Sequence, residues 1–225
     1  MISTGSRALD SLLGGGLRKG MITDVFGESG SGKTQLCFTA AVNCAQSGGS
    51  VIFVDTAGTF RPERIMEIGG SQAVLESITY LRAISTKDQT DAGHKIHELC
   101  PALVVIDGVA SLFSVEYSGP QRHLAVMRHL HDLAVSAVRS GCTILVTNMI
   151  RNMPSEVTGI GASTALQREY LGSSVSIYSH IKLKLEIVDA GRSIFRARLI
   201  QPPAAKTAAY SISMRGISDA VGTPA

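Results

Sequence analysis

The chain has 225 residues, enough for one substantial α/β domain over 1–225 and too few for two ordinary ones. An apolar fraction of 44% against 17% charged, with no low-complexity tract, excludes a disordered or fibrous chain. No apolar run reaches the ~18 residues of a membrane span, and Met1-Ile2-Ser3-Thr4-Gly5 does not read as a secretory signal, so the expectation is a soluble intracellular protein.

The first apolar strand, Met21 to Phe26, runs directly into Gly27-Glu28-Ser29-Gly30-Ser31-Gly32-Lys33-Thr34. This is a complete G-x-x-x-x-G-K-[ST] phosphate loop, and the helix-like run Gln35 to Gln46 follows it. In such a loop glycines let successive backbone N–H groups converge on phosphate oxygens, and Lys33 reaches the β and γ phosphates. The Thr34 hydroxyl ligates Mg²⁺, and the helix turns its positive end to the anion. A purely structural glycine loop is the alternative, and the flanking strand and helix argue against it.

Further β-branched runs follow at Val51 to Asp55, Ile78 to Arg82, Ala102 to Asp107 and Thr143 to Thr147, with helix-like stretches between them. That alternation predicts a mostly parallel sheet wrapped by helices. Ligands gather at the carboxyl ends of such strands, so Asp55, Asp107 and Thr147 should approach the phosphate loop. Asp107 ends an apolar strand and is the expected magnesium-side carboxylate, unless it is only the turn residue before Gly108. Within Arg122 to Arg139, Leu124, Met127, Leu130, Leu133 (or Ala134) and Ala137 recur at helical spacing as the predicted core face. His123, His129 and His131 share that helix, and with no carboxylate or cysteine spaced to complete a metal site they read as surface histidines.

From Asn148 to Ser174 no period is sustained, so a long loop that could contact a ligand is expected there. Lys182 to Val188 and Ser193 to Ile200 then flank Asp189-Ala190-Gly191-Arg192 as a hairpin. Cys37, Cys44, Cys100 and Cys142 lack a C-x-x-C spacing and read as buried free thiols. The net charge of +3 is concentrated in residues 151–225, with nine Lys/Arg against five Asp/Glu. That surplus fits either an ordinary solvated surface or a polyanion footprint.

These motifs combine with Ile2-Ser3-Thr4-Gly5, Leu13-Gly14-Gly15-Gly16-Leu17, Asp55-Thr56-Ala57-Gly58-Thr59-Phe60-Arg61-Pro62-Glu63-Arg64, Ile106-Asp107-Gly108, Val146-Thr147-Asn148 and Gly216-Ile217-Ser218-Asp219. Over nearly its whole length the chain resembles the archaeal and eukaryotic branch of RecA-type recombinases, RadA and its relatives. The resemblance implies an α/β, RecA-like P-loop NTPase core, its mostly parallel central sheet flanked by helices and extended by a C-terminal antiparallel hairpin. It implies ATP and Mg²⁺ held by Gly27, Glu28, Ser29, Gly30, Ser31, Gly32, Lys33, Thr34 and Gln35, with Arg64 against the adenine and Thr34 and Asp107 at the metal. It further implies that Pro202 and Pro203 cap ATP on a neighbouring subunit, in a homo- or hetero-oligomer. Two loops, after Ser111 and after Asn148, would face single-stranded DNA, with Arg151 and Arg168 as contacts and Gly159 and Gly161 in the second. The location this implies is cytoplasmic and nucleoid-associated, or nuclear in a eukaryote.

Departures from the family pattern fall on the chemistry. Where the family has Asp-Thr-Glu-Gly-Thr-Phe this chain has Ala57, and alanine cannot deprotonate an attacking water. Glu28 and Glu63 are the nearby acids that could substitute. Where the family has Thr-Asn-Gln this chain has Met149, whose thioether offers no N–H donor, though it could be a plain packing residue. The first DNA loop is short, Glu116 to Arg122, and Met1 opens directly on core motifs, without the family's helical N-terminal domain. The resemblance is therefore to core-only paralogues similar to RadB. It implies an ATP-binding accessory protein with weak or absent hydrolysis that assists a main RadA-type recombinase and binds single-stranded DNA weakly by itself. A strand-exchanging DNA-dependent ATPase and a KaiC-like signalling ATPase are the alternatives.

Overall fold

A computed structural model describes residues 1–153 and 166–220, the side chains of 151–153 and 166–168 excepted. In chain order its elements are α1 (Arg7–Leu12), β1 (Ile22–Gly27), α2 (Lys33–Gln46), β2 (Val51–Asp55), α3 (Pro62–Ile68), α4 (Gln72–Glu76), β3 (Ile78–Arg82), α5 (Thr86–Leu99) and β4 (Leu103–Asp107). There follow α6 (Ser111–Glu116), α7 (Gly119–Ser140), β5 (Thr143–Met153), β6 (Leu166–Glu169), α8 (Gly172–Tyr178), β7 (Ile181–Asp189), β8 (Ile194–Gln201), β9 (Thr207–Ser213) and β10 (Gly216–Asp219). The sheet order is β10-β9-β8-β7-β1-β5-β4-β2-β3, with β6 paired to β5 alone.

Neighbours from β3 through β7 pair in parallel, and β7 to β10 pair antiparallel. The mostly parallel, helix-flanked architecture with an antiparallel C-terminal extension is thus as expected, and β9 and β10 enlarge the extension beyond the one hairpin read from sequence.

Strands buried on both faces explain the near-continuous apolar runs. Val25, Val51, Phe53, Leu103, Val105 and Leu145 point to a core under α1, α2, α3 and α4. Ile22, Ile52, Val54, Val104, Ile106, Ile144 and Val146 point to a second core under α5, α7 and α8, the period-2 alternation of a strand. Local signals start the helices. Ser85 and Asp88 form a reciprocal capping box on α5, and prolines open α3 and α7.

Four expectations need correction. The stretch from Asn148 to Ser174 is not one loop, because β5 runs on to Met153, β6 pairs antiparallel with its distal half, and α8 follows. Polar Asn148 and Arg151 interrupt the apolar pattern there and hide the strand. On α7 the buried face is Val126, His129, Leu130, Leu133, Ser136 and Ala137, while Leu124 is 65% exposed. The stripe is rotated because α7 packs on α5, where polar groups find partners: His129 meets the Gln89 amide at 3.2 Å and Ser136 meets His97 at 3.2 Å. His129 is consequently a core residue, not a surface one. Cysteines 37, 44 and 142 are buried and free as expected, but Cys100 is exposed at the end of α5.

Candidate nucleotide site

The phosphate loop leaves β1 near the middle of the sheet and is shaped by close approach on both flanks. A Cβ on Gly27 would lie 2.4 Å from the Leu185 carbonyl and 2.6 Å from Ser31 Oγ. A Cβ on Gly32 would lie 2.4 Å from Ile212 Cδ1. Gly30 and Gly32 also take φ of +81° and +90°, open to glycine at little strain. Helix α2 begins at Lys33 with no side-chain cap, so its first N–H groups remain available to an anion. The Lys33 ammonium bends over the loop and donates to the carbonyls of Gly27 (2.9 Å) and Glu28 (2.8 Å). Burial lowers its pKa, against the pull of Asp107.

The loop fits a phosphate chain by two observations. The glycine cradle has room only where no side chain stands, and Ser31 Oγ is buried without a hydrogen-bond partner among the described residues. The hollow beside it, about 540 Å³, is lined by Ser29, Gly30, Gly32, Lys33, Thr34 and Gln35, with Arg64, Phe195 and Ile212 at the far wall. A larger hollow of about 980 Å³ runs along α5 and α7 but carries no phosphate-binding loop, so chemistry and not size locates the site.

Strand β5 lies between β1 and β4, which puts Thr147 between the loop and Asp107. Thr34 Oγ1 donates to Asp107 Oδ2 at 2.8 Å, and Thr147 Oγ1 donates to Asp107 Oδ1. Asp107 is 6% exposed. Burial raises its pKa, the hydrogen bonds from Thr147 and Thr34 lower it, Asp55 raises it, and Lys33 lowers it. A hydroxyl and a buried carboxylate at this spacing could share a magnesium ion and its water shell.

Asp55 makes no hydrogen bond to the phosphate loop among the described residues. Its carboxylate accepts the backbone N–H groups of Ala57 (3.0 Å), Gly58 (2.7 Å) and Phe60 (2.9 Å), bracing the segment that carries Ala57. Burial opposes its ionisation, yet the backbone donors hold its pKa below the ordinary value. Ala57 presents a methyl group to solvent. Glu28 and Glu63 are exposed, and among the described residues neither side chain bonds to Thr34 or Asp107. Met149 is 44% exposed.

Arg64 lines the same hollow with its guanidinium locked. It donates to Gln35 Oε1 (2.8 Å), Glu67 Oε2 (2.9 Å), Met214 O (2.7 Å) and Ser213 O (2.7 Å). Four fixed contacts leave the planar face of the group as the surface offered to a ligand. Pro202 and Pro203 lie exposed after β8 and do not line this hollow. Arg151 and Arg168 are register partners across β5 and β6; their side chains, like Gly159 and Gly161, lie outside the described residues. In the short first loop, Glu116 is turned inward onto the Thr86 backbone N–H (2.9 Å) and hydroxyl.

Sequence reasoning passed over a buried charge cluster. The Lys182 ammonium is 2.9 Å from Asp24 Oδ2 and 2.6 Å from Glu169 Oε2, and 5.1 Å from the centre of the Phe26 ring. Asn148 joins it, donating to Glu169 Oε1 (2.9 Å) and Tyr170 O (2.7 Å). Two carboxylates share one ammonium in a buried site. Burial first, then Glu169, raises Asp24 well above its ordinary value. A Lys and an Asp inside strands that otherwise read as apolar were the available signal.

A phosphate loop leaving an inner strand of a mostly parallel sheet, with a carboxylate two strands away against the loop threonine, defines the P-loop nucleotide-binding class in its RecA-like form. The model of the Rad51 family matches residues 1–220, and the chain belongs to that family. It is 33% identical, over 97% of its length, to the DNA repair and recombination protein RadA of Cenarchaeum symbiosum and to the DNA repair protein RAD51 homolog B of Zea mays. It is 36% identical over 70% of its length to the RadA of Metallosphaera sedula. The chain spans 58%, 69% and 55% of these three relatives respectively. Among the described residues no helix is long and apolar enough to cross a membrane.

Proposed function

We propose that this chain is one ATP-binding domain that serves recombination as an accessory to a main RadA-type recombinase and hydrolyses ATP slowly or not at all. Residues Gly27 to Gln35 hold the triphosphate, Arg64 flanks the adenine, and Thr34 with Asp107 hold Mg²⁺. When bound, the ion neutralises charge on the phosphates. Around it, Lys33 turns from the loop carbonyls to the phosphates, and Asp107 orients the Thr34 hydroxyl. One observation supports this reading: the Thr34 and Asp107 pair is assembled at 2.8 Å, and the family resemblance puts Ala57, which cannot accept a proton, at the general-base position. Loss of such a base commonly lowers rates by ~10²–10⁴-fold. Bound ATP would favour one conformation and so act as a latch.

Weak binding of single-stranded DNA, with Arg151 and Arg168 on the paired strands β5 and β6, fits the modest basic surplus. Phosphate contacts of that kind weaken steeply with salt, so tight binding at high salt would contradict this part. The main test is phosphate release with and without single-stranded DNA. Wild-type protein should be slow under both conditions, and Ala57→Glu should accelerate release by at least tenfold, within the range a positioned base supplies. Brisk turnover by the wild type would instead favour a DNA-dependent ATPase.

A further inference from the structure

The C-terminal antiparallel strands do more than extend the sheet. Tyr210 of β9 is fully buried, and its phenol donates to the backbone carbonyl of Ser31, 2.8 Å away in the phosphate loop. The ring is fixed by stacking on Phe195 of β8, with centroids 5.4 Å apart and planes 20° apart. A phenylalanine would fill the same space, so the hydroxyl is what reaches the loop.

The Ser31–Gly32 peptide is trans. In a planar trans peptide the carbonyl and the next N–H point in opposite directions. With the Ser31 carbonyl held by Tyr210, the Gly32 N–H points to the opposite side of that peptide, and Gly32 itself lines the hollow with Ser29, Gly30, Lys33 and Thr34. Ile212, two residues along the same strand, closes the space beside Gly32, while Leu185 of β7 closes it beside Gly27. Inside the loop the Ser31 N–H bonds to the Glu28 carbonyl at 3.2 Å.

We infer that Tyr210 is a positioning residue for the phosphate loop: by holding the Ser31 carbonyl it aims the Gly32 N–H at the phosphates of a bound nucleotide. This rests on the nucleotide reading above. Its effect belongs to phosphate recognition and not to base recognition, which separates it from an ordinary core tyrosine.

The test uses Tyr210→Phe in the full chain, with calorimetric titration of MgATP and of magnesium tripolyphosphate, and a melting curve without ligand. Both affinities should fall by a similar factor, about tenfold, as expected when a buried carbonyl loses its donor and the loop peptide is freed. Wild-type affinities in Tyr210→Phe, with or without a lowered melting temperature, would assign the phenol to folding alone and overturn the inference. Failure of the wild type to bind either ligand would sink the nucleotide reading as well. If Tyr210→Phe does not fold, Phe195→Leu loosens the ring while keeping the hydroxyl. It should weaken tripolyphosphate by about threefold, and unchanged binding overturns the inference.

Discussion

Replacing Asp107 by Asn should stabilise the ligand-free protein while removing its response to MgATP. The carboxylate is 6% exposed and accepts from Thr34 and Thr147. The Lys33 ammonium, which could offset its charge, is turned to the carbonyls of Gly27 and Glu28. Burial therefore raises the pKa of Asp107 in the folded state, with the hydrogen bonds opposing. An acid whose folded value lies above its unfolded value of about 3.9 favours the fold below that value and loses this contribution as pH rises through the folded one. The penalty of the buried charge therefore grows as pH rises above the unfolded value. Asparagine keeps the shape and one acceptor oxygen without the charge. Relief of a functional strain of this kind is worth about 0.5–2 kcal/mol, or roughly 1–8 °C in melting temperature for a chain of this size. The same change removes the anionic oxygen that a hard cation prefers. At a hundredfold excess over Kd, MgATP should stabilise the wild type by about 2.7 kcal/mol and Asp107→Asn by far less. Scanning calorimetry at pH 7.5, with and without MgATP, reads both quantities. A variant that melts below the wild type, or one that keeps the full MgATP shift, would contradict the placement of Asp107 as a buried anion awaiting a metal.

His129 is buried, and because Gln89 Nε2 also donates to Val109 O at 2.9 Å, the ring nitrogen facing it must accept. Burial lowers its pKa from 6.5 to about 4, against a small opposing pull from Asp132. The unfolded chain then binds the proton first. Stability from this residue is lost as pH falls from about 6.5 to about 4, by roughly 3 kcal/mol in all. His129→Leu should flatten that acid limb in urea titrations; an unchanged slope would refute the assignment. Lys182→Met leaves Asp24 and Glu169 buried without their cation and should cost about 3–5 kcal/mol at pH 7.5. The deficit should shrink as pH falls, because burial favours the protonated form of Asp24. A variant as stable as the wild type at pH 7.5 would show the cluster to be hydrated and weak.

The sequence alone determined the elements whose signals are local. Residues 27–34 announced the phosphate loop, because glycine, lysine and threonine at those spacings are demanded by a few adjacent backbone groups. The β-branched runs announced β1, β2, β4 and β5, because strands buried on both faces need continuous apolar residues, and shorter or alternating runs announced β3, β7 and β8. Asp107 was legible as the last residue of such a run. What depends on strands far apart in the chain was not legible. That Thr147 stands between the loop and Asp107 follows from β5 lying between β1 and β4. That Asp55 braces its own turn depends on where its carboxylate points. The burial of His129, the joining of Asp24, Lys182 and Glu169, and the contact of Tyr210 with Ser31 across 179 positions are likewise tertiary. A polar side chain in an apolar run carries no mark of its partner. Only packing brings the two together and makes burial tolerable.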